Sequence, residues 1–295
     1  VMKKQIILFT LLSFCFGKVR VVTSTTDLAD IVKTIGGDRV TVTSIARGNQ
    51  DPHYVEILPS YMFKVKKADI YFMVGMELDL WAKSIIDGSR NRHIDVVDCS
   101  IEIEKMEIPK GTVDARMGDI HRFGNPHYWL DPKNGKRIAQ LIAEKLTNAE
   151  PKSSDLFRKN LDAFNLQLDK AILDWEKRFV NLQGKKLIYY HNSWPYFSNY
   201  FGLETVEFLE PKPGITPSPA KLNHIIQRIK SDDIMVIASE SYFSDRVPKF
   251  IASKTGVKTV KLAQSVGAME GADSYIHLFE TNLKILSQAF GVEHD

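Results

Sequence analysis

A long amphipathic helical pattern in the middle of the chain restricts the fold more than any other feature of the sequence. Over residues 156–182 apolar side chains recur every three or four positions, while charged residues such as Arg158 and Asp169 occupy the other face. A helix of about 27 residues would be about 40 Å long, enough to cross a whole domain. We therefore expect a rigid connecting helix rather than a flexible linker.

Segments with the pattern of short strands alternate with helical segments on both sides of this helix. Strands are predicted at 18–23, 39–45, 69–74, 94–97, 186–190, 205–209, 234–238 and 257–262. Such alternation predicts parallel sheets with right-handed crossovers. We expect an α/β protein of two lobes, which suits a chain of 295 residues. The predicted divisions are an N-terminal lobe at 18–150, the linking helix at 151–183 and a C-terminal lobe at 184–295.

The first residues have the composition of a secretory signal. Lys3 and Lys4 precede an apolar run at 6–16, which as a helix would be about 16 Å long, against a bilayer core of about 30 Å. A basic start followed by a short apolar run is typical of a signal peptide. We predict a signal peptide at 1–17 and an exported protein. Either Cys15 is lipidated as a membrane anchor, or cleavage after Gly17 removes it.

Composition and missing motifs exclude several classes of function. Lys plus Arg number 39 and Asp plus Glu 36, a formal net charge of +3 that does not indicate a nucleic-acid-binding surface. Two cysteines cannot form a disulfide framework or a cysteine-rich zinc site. The sequence also lacks the common phosphate-binding, dinucleotide-binding and serine-hydrolase motifs. We expect a monomer that binds no nucleic acid.

Three histidines occur where ligands of α/β proteins usually bind. His53 lies in a loop after the second predicted strand, His191 directly follows the strand at 186–190, and His127 precedes a helix start at Asp131. In open parallel sheets, ligands bind beyond the carboxyl ends of the strands. Asp273, at the start of the last predicted helix, is either a helix N-cap or a fourth ligand. The joint pattern predicts a site for a divalent metal ion.

The same residues resemble a known family. The run HYWLDP at 127–132 resembles the H-x-W-L-D-P signature of the zinc- and manganese-type solute-binding proteins of ABC importers. Asp-Pro-His at 51–53, Tyr-His at 190–191 and Asp-Ser-Tyr at 273–275 follow in the same order as in that family. The resemblance implies two α/β lobes bridged by one long helix, with one metal ion in the cleft between them. It also implies His53, His127, His191 and Asp273 as ligands, and a membrane permease as the partner.

The expected metal follows from the chemistry of these ligands. Three imidazoles and one carboxylate suit Zn²⁺, whereas a site richer in carboxylates would suit Mn²⁺, the alternative. Manganese members of the family typically have Glu where this chain has His191. The long acidic, histidine-rich loop of many zinc members is missing, and only Asp119 and His121 stand in that stretch. Four protein ligands would leave no position for a catalytic water, so we expect a carrier rather than an enzyme.

Two further residues and two further functions stay open. Glu240, at the end of a predicted strand, either orients a ligand histidine or replaces Asp273 as a ligand. His121 is either an accessory ligand or a solvated surface residue. A zinc-dependent hydrolase would use the three histidines with Glu240 or Asp273 as general base. A manganese-binding receptor or an adhesin on the same scaffold is the other alternative.

Overall fold

Two parallel sheets form the framework of the computed structural model, which describes residues 17–110, 121–210 and 215–292. Within these ranges the first sheet has the strand order β2-β1-β3-β4 and the second has the order β6-β5-β7-β8. The strands are β1 (Val19–Thr23), β2 (Val40–Ser44), β3 (Ile70–Met73), β4 (Asp95–Asp98), β5 (Lys186–Tyr189), β6 (Glu204–Phe208), β7 (Val236–Glu240) and β8 (Lys258–Leu262). The predicted strands and their parallel pairing are confirmed. The predicted signal peptide, including Cys15, lies outside the described residues except for Gly17.

Helices connect the strands and cover both sheets. They are α1 (Thr26–Gly36), α2 (Pro59–Lys66), α3 (Trp81–Ser89), α4 (Pro132–Ala149), α5 (Ser154–Arg178), α6 (Pro195–Phe201), α7 (Pro219–Ser231), α8 (Arg246–Thr255) and α9 (Tyr275–Phe290). None of the helices in the described ranges combines the length and apolar character that crossing a membrane requires.

The predicted connecting helix is α5. It has 25 residues and follows a short 3-10 turn, so it begins close to where the apolar periodicity begins. Its buried face consists of Phe157, Leu161, Phe164, Leu168, Ile172 and Trp175. This face packs against α1 and α4 of the first half and α9 of the second. At its end, Trp175 Nε1 donates a 2.7 Å hydrogen bond to Glu280 Oε2 of α9, which fixes the helix to the C-terminal half.

The two halves also contact each other away from α5. Trp129 Nε1 donates to the carbonyl oxygen of Gln264 at 2.9 Å, and Tyr275 Oη donates to the carbonyl oxygen of Trp129 at 2.6 Å. The backbone N–H of Val266 donates to Asp27 Oδ1 at 2.9 Å. One buried apolar cluster contains residues from both sheets. We call this set of hydrogen bonds, made by Asp27, Trp129, Gln264, Val266 and Tyr275, the lobe seam.

Candidate metal centre

His53, His127 and His191 converge at the carboxyl edges of the two sheets. One ring nitrogen from each lies within 4.8 Å of those of the other two, and the ring centroids are 5.2 to 5.9 Å apart. The side chains of His53 and His191 are only 5% and 9% exposed, and His127 is buried. Nitrogen ligands of a tetrahedral zinc ion lie about 3.3 Å apart, given Zn–N bonds of about 2.0–2.1 Å. The three nitrogens, within 4.8 Å of one another, would have to draw closer to bind such an ion.

His127 is positioned by the start of α4. Asp131 caps this helix by accepting a 2.7 Å hydrogen bond from the backbone N–H of Lys133, and Pro132 occupies its first turn. The preceding 3-10 turn, Tyr128–Leu130, is buried, and Tyr128 Oη donates to the carbonyl oxygen of Val74 at 2.7 Å. These contacts explain the HYWLDP run: its aromatic residues are core anchors, and its Asp-Pro pair starts a helix that leaves His127 at the cleft.

Asn125 fixes the protonation pattern of the His127 ring. Its amide nitrogen donates to Glu107 Oε2 at 3.1 Å and to the carbonyl oxygen of Asn192 at 2.8 Å. The amide oxygen therefore faces His127, where it accepts from Nδ1 at 2.9 Å and from the backbone N–H at 3.1 Å. This network assigns the proton to Nδ1 and the lone pair to Nε2. Nε2 is buried and has no hydrogen-bond partner in the described parts of the chain.

Burial also keeps the His127 ring neutral. Removal from water lowers the pKa of His127 well below its usual value, and the neighbouring histidines lower it further. A neutral imidazole with a buried, unused lone pair is the form that binds a metal ion.

His53 is held in the same way by the residue two positions before it. Asp51 Oδ1 accepts from His53 Nδ1 at 2.8 Å and from the His53 backbone N–H at 3.0 Å. Trp81 Nε1 donates to the carbonyl oxygen of Pro52 at 2.8 Å and fixes the loop to α3. Burial raises the pKa of Asp51, but the hydrogen bond and charge of His53 outweigh it, so the pKa is lowered and the carboxylate stays ionised.

His191 is held by a carboxylate from a neighbouring strand end. Glu210 follows β6, and its Oε2 accepts from His191 Nδ1 at 3.0 Å; both residues are buried. Burial lowers the pKa of His191, but the hydrogen bond to Glu210 and the charges of Glu240, Glu210 and Asp51 raise it above its usual value. In all three rings Nδ1 faces an oxygen acceptor, which leaves Nε2 for an ion.

Sequence reasoning missed the three acceptors that orient the rings. Two of them have a signal in the sequence, because Asp51-Pro52-His53 and Asn125-Pro126-His127 are the same Asx-Pro-His pattern. In both, the Asx oxygen accepts from the histidine two residues later, through its backbone and its ring. Glu210 had no such local signal.

Asp273 does not join the histidines, which corrects the predicted set of four ligands. Its side chain is 77% exposed, and Oδ1 accepts from His277 Nδ1 at 2.6 Å. This hydrogen bond lowers the pKa of Asp273. The N-cap of α9 is Ser274, whose hydroxyl accepts from the backbone N–H of His277 at 3.2 Å. Asp273 is thus neither the cap nor part of the cluster.

Glu240 is close enough to His191 for their charges to interact, and His121 contacts His53, but neither belongs to the set of ligand atoms that lie within 4.8 Å of one another. Glu240 is fully buried at the end of β7, and its Oε1 accepts from Trp194 Nε1 at 3.0 Å. Burial raises the pKa of Glu240, opposed by the charge of His191 and by hydrogen bonds from Ser193 and Trp194. His121 is buried rather than solvated, and its Nε2 lies 3.2 Å from Nε2 of His53.

A family model described as "zinc-uptake complex component A, periplasmic" matches residues 21–289. The chain belongs to this family. Its members are metal-binding solute-binding proteins of ABC importers, so the resemblance of the HYWLDP run is confirmed.

Relatives agree with this assignment, and a solved structure shares the fold. The metal ABC transporter substrate-binding lipoprotein FimA of Streptococcus parasanguinis is 28% identical over 284 residues, covering 92% of this chain and 89% of FimA. The manganese ABC transporter substrate-binding lipoprotein PsaA of Streptococcus pneumoniae is 27% identical over 281 residues, covering 92% and 88%. A crystal structure of ZnuA shares the fold with a TM-score of 0.81 at 23% identity, covering 92% of this chain and 99% of that one.

Proposed function

We propose that this protein captures Zn²⁺ outside the cytoplasm and delivers it to the membrane permease of an ABC importer. The observation that carries the proposal is the convergence of three buried imidazoles, each with Nδ1 on an oxygen acceptor. His53, His127 and His191 would bind the ion through Nε2. The neighbouring carboxylates of Asp51 and Glu210 would balance part of its charge.

The choice of Zn²⁺ over Mn²⁺ rests on the donor atoms. Imidazole nitrogen suits zinc, while manganese prefers carboxylate and water oxygens, and zinc binds a given nitrogen site more tightly than manganese. Each of the three convergent ligands here is a nitrogen donor. Relatives such as PsaA carry manganese in their names, so the experiment below compares the two metals directly.

Capture and release, rather than catalysis, fits the position of the site. Two ligands come from the first half of the chain and one from the second, so an ion would bridge the lobes. Release would then require the lobes to move apart at the seam, and docking on a permease would supply the differential contacts that favour such a change. We propose that the ion is cargo and that the protein is not an enzyme.

The test is a metal titration of the metal-stripped protein in competition with a chelating indicator. We expect one Zn²⁺ per chain and much weaker Mn²⁺ binding. His127→Ala should weaken zinc binding by about 100-fold or more, because loss of a ligand should exceed the 10- to 100-fold cost of losing a partner behind one. His93→Ala is the matched control, since His93 is exposed. A wild-type protein that binds no stoichiometric metal would refute the proposal.

A further inference from the structure

Glu240 occupies the position in the second sheet where ligands are expected. The chain passes from β5 to β6 on one side and reaches β7 on the other, so the ends of β5 and β7 form the switch point of this sheet. Tyr189 pairs with Ala238, and the backbone N–H of Tyr190 donates to the carbonyl oxygen of Ala238 at 2.8 Å. Two residues further in the same register, His191 comes opposite Glu240. Paired strands lie about 4.8 Å apart, so Glu240 lies beside His191, and the charges of the two side chains interact. Its carboxylate is outside the set of ligand atoms that lie within 4.8 Å of one another, so it would have to move to reach a shared ion.

The Glu240 carboxylate is only half satisfied. Oε1 accepts from Trp194, but Oε2 is buried without a hydrogen-bond partner among the described residues. The nearby Lys261 ammonium donates to the backbone oxygen of Glu240 at 3.1 Å and pairs with Asp245 at 2.9 Å. Its ion pair is therefore with Asp245 and not with the Glu240 carboxylate. An unpaired buried carboxylate oxygen is costly, and a bound cation is one partner that removes the cost.

We propose that Oε2 of Glu240 is the fourth ligand of the ion, completing a shell of three nitrogens and one oxygen. This inference rests on the proposed function. One ion between the lobes would give a partner both to Oε2 of Glu240 and to Nε2 of His127, two buried atoms that have no hydrogen-bond partner among the described residues. Oε1 stays on the Trp194 N–H, and Oε2 moves toward the histidines when the ion binds.

His121 is the competing candidate, and its contacts favour a different role. Its Nε2 is 3.2 Å from Nε2 of His53, a contact in which one nitrogen donates a proton to the lone pair of the other. Because Asp51 accepts from Nδ1 of His53, the lone pair is on His53 and His121 is the donor. His121 thus already has a hydrogen-bond partner at the site, whereas Oε2 of Glu240 has none among the described residues.

The direct test is a crystal structure of the zinc-loaded wild-type protein, with the ion located by anomalous scattering. We expect Oε2 of Glu240 at about 2.0–2.2 Å from zinc. A separation beyond about 3 Å, including a shell in which His121 takes the fourth position, overturns the inference. Three coordinated histidines without Glu240 would still leave the proposed function intact.

The solution test is Glu240→Gln, which keeps the shape and the amide oxygen that Trp194 needs but removes the anionic ligand. We expect zinc affinity to fall at least about 10-fold and the thermal unfolding temperature of the metal-free protein to stay the same or rise. Glu204→Gln makes the same chemical change at an exposed position of β6 and should leave affinity unchanged. Unchanged zinc affinity in Glu240→Gln, with wild-type binding intact, refutes the inference alone, whereas failure of the wild type to bind refutes the proposed function.

Discussion

The two halves of the metal centre hold their histidines by different means. In the first half, His53 and His127 are each fixed by an Asx side chain two residues earlier, so position and orientation come from one short segment. In the second half, His191 depends on Glu210, 19 residues away at the end of the neighbouring strand. The first arrangement is local and readable in the sequence. The second exists only after the sheet has assembled.

The halves also differ in charge. His127 faces a neutral amide and has a pKa lowered by burial, whereas His191 faces carboxylates and has a raised pKa. His127 therefore offers a neutral lone pair, whereas the second half places two carboxylates, Glu210 and Glu240, near His191 in addition to the single carboxylate of Asp51 in the first half. This division predicts that changes in the second half alter which metal binds, while changes in the first half alter whether metal binds at all.

The largest effect should come from His191→Glu, which removes an imidazole from the second half and adds a carboxylate. Zinc affinity should fall by about 100-fold or more, with a much smaller loss for Mn²⁺, because oxygen ligands suit manganese. Competition titrations with both metals measure the ratio. Equal losses for the two metals would contradict a division of labour between the halves.

An intermediate effect is expected from the partners behind the ligands. Glu210→Ala removes the acceptor behind His191 and should weaken zinc binding by about 10- to 100-fold, the usual cost of losing such a partner. Asp51→Asn should cost less, because an amide oxygen can still accept from the ring and the backbone of His53, as Asn125 does for His127. The same competition titration compares them. A greater loss in Asp51→Asn would mean that charge, not local geometry, positions the first half.

The smallest effect is expected at Asp273. Asp273→Ala removes an exposed hydrogen bond with His277, and exposed polar contacts of this kind contribute little. Zinc affinity should change by less than about two-fold, within the spread of such titrations. A large loss of zinc affinity would indicate that Asp273 is a ligand after all. Ser274, the observed cap of α9, is unchanged in this variant and keeps the helix start intact.

The helices and strands could be predicted from the sequence. So could three of the four residues predicted to converge at one site. The strand predicted at 94–97 is β4 at Asp95–Asp98, and the helical periodicity at 156–182 corresponds to α5 and the turn after it. Helical periodicity and position after a strand depend only on neighbouring residues, so both can be predicted from a short stretch of sequence. His53 and His191 lie near the ends of β2 and β5, as parallel strands predict, whereas His127 is carried to the same place by the turn before α4.

Asp273 shows what local patterns cannot give. An Asp before a helix predicts a helix start, and the helix does start there, but Ser274 takes the cap and Asp273 turns to the surface. Which of two adjacent polar residues faces inward depends on packing around α9. The pairing of Glu210 with His191 and the burial of Glu240 depend likewise on the order of strands in the sheet. That order cannot be predicted from a short stretch of sequence.

The lobe seam has a consequence for the direction of transport. Trp129 and Tyr275 tie the segment after His127 to the second half through protein hydrogen bonds alone. Unaided opening would break these hydrogen bonds and expose buried aromatic surface, so a captured ion would seldom escape back to the medium. Contact with the permease would then be needed to open the cleft, so the ion would be released at the membrane.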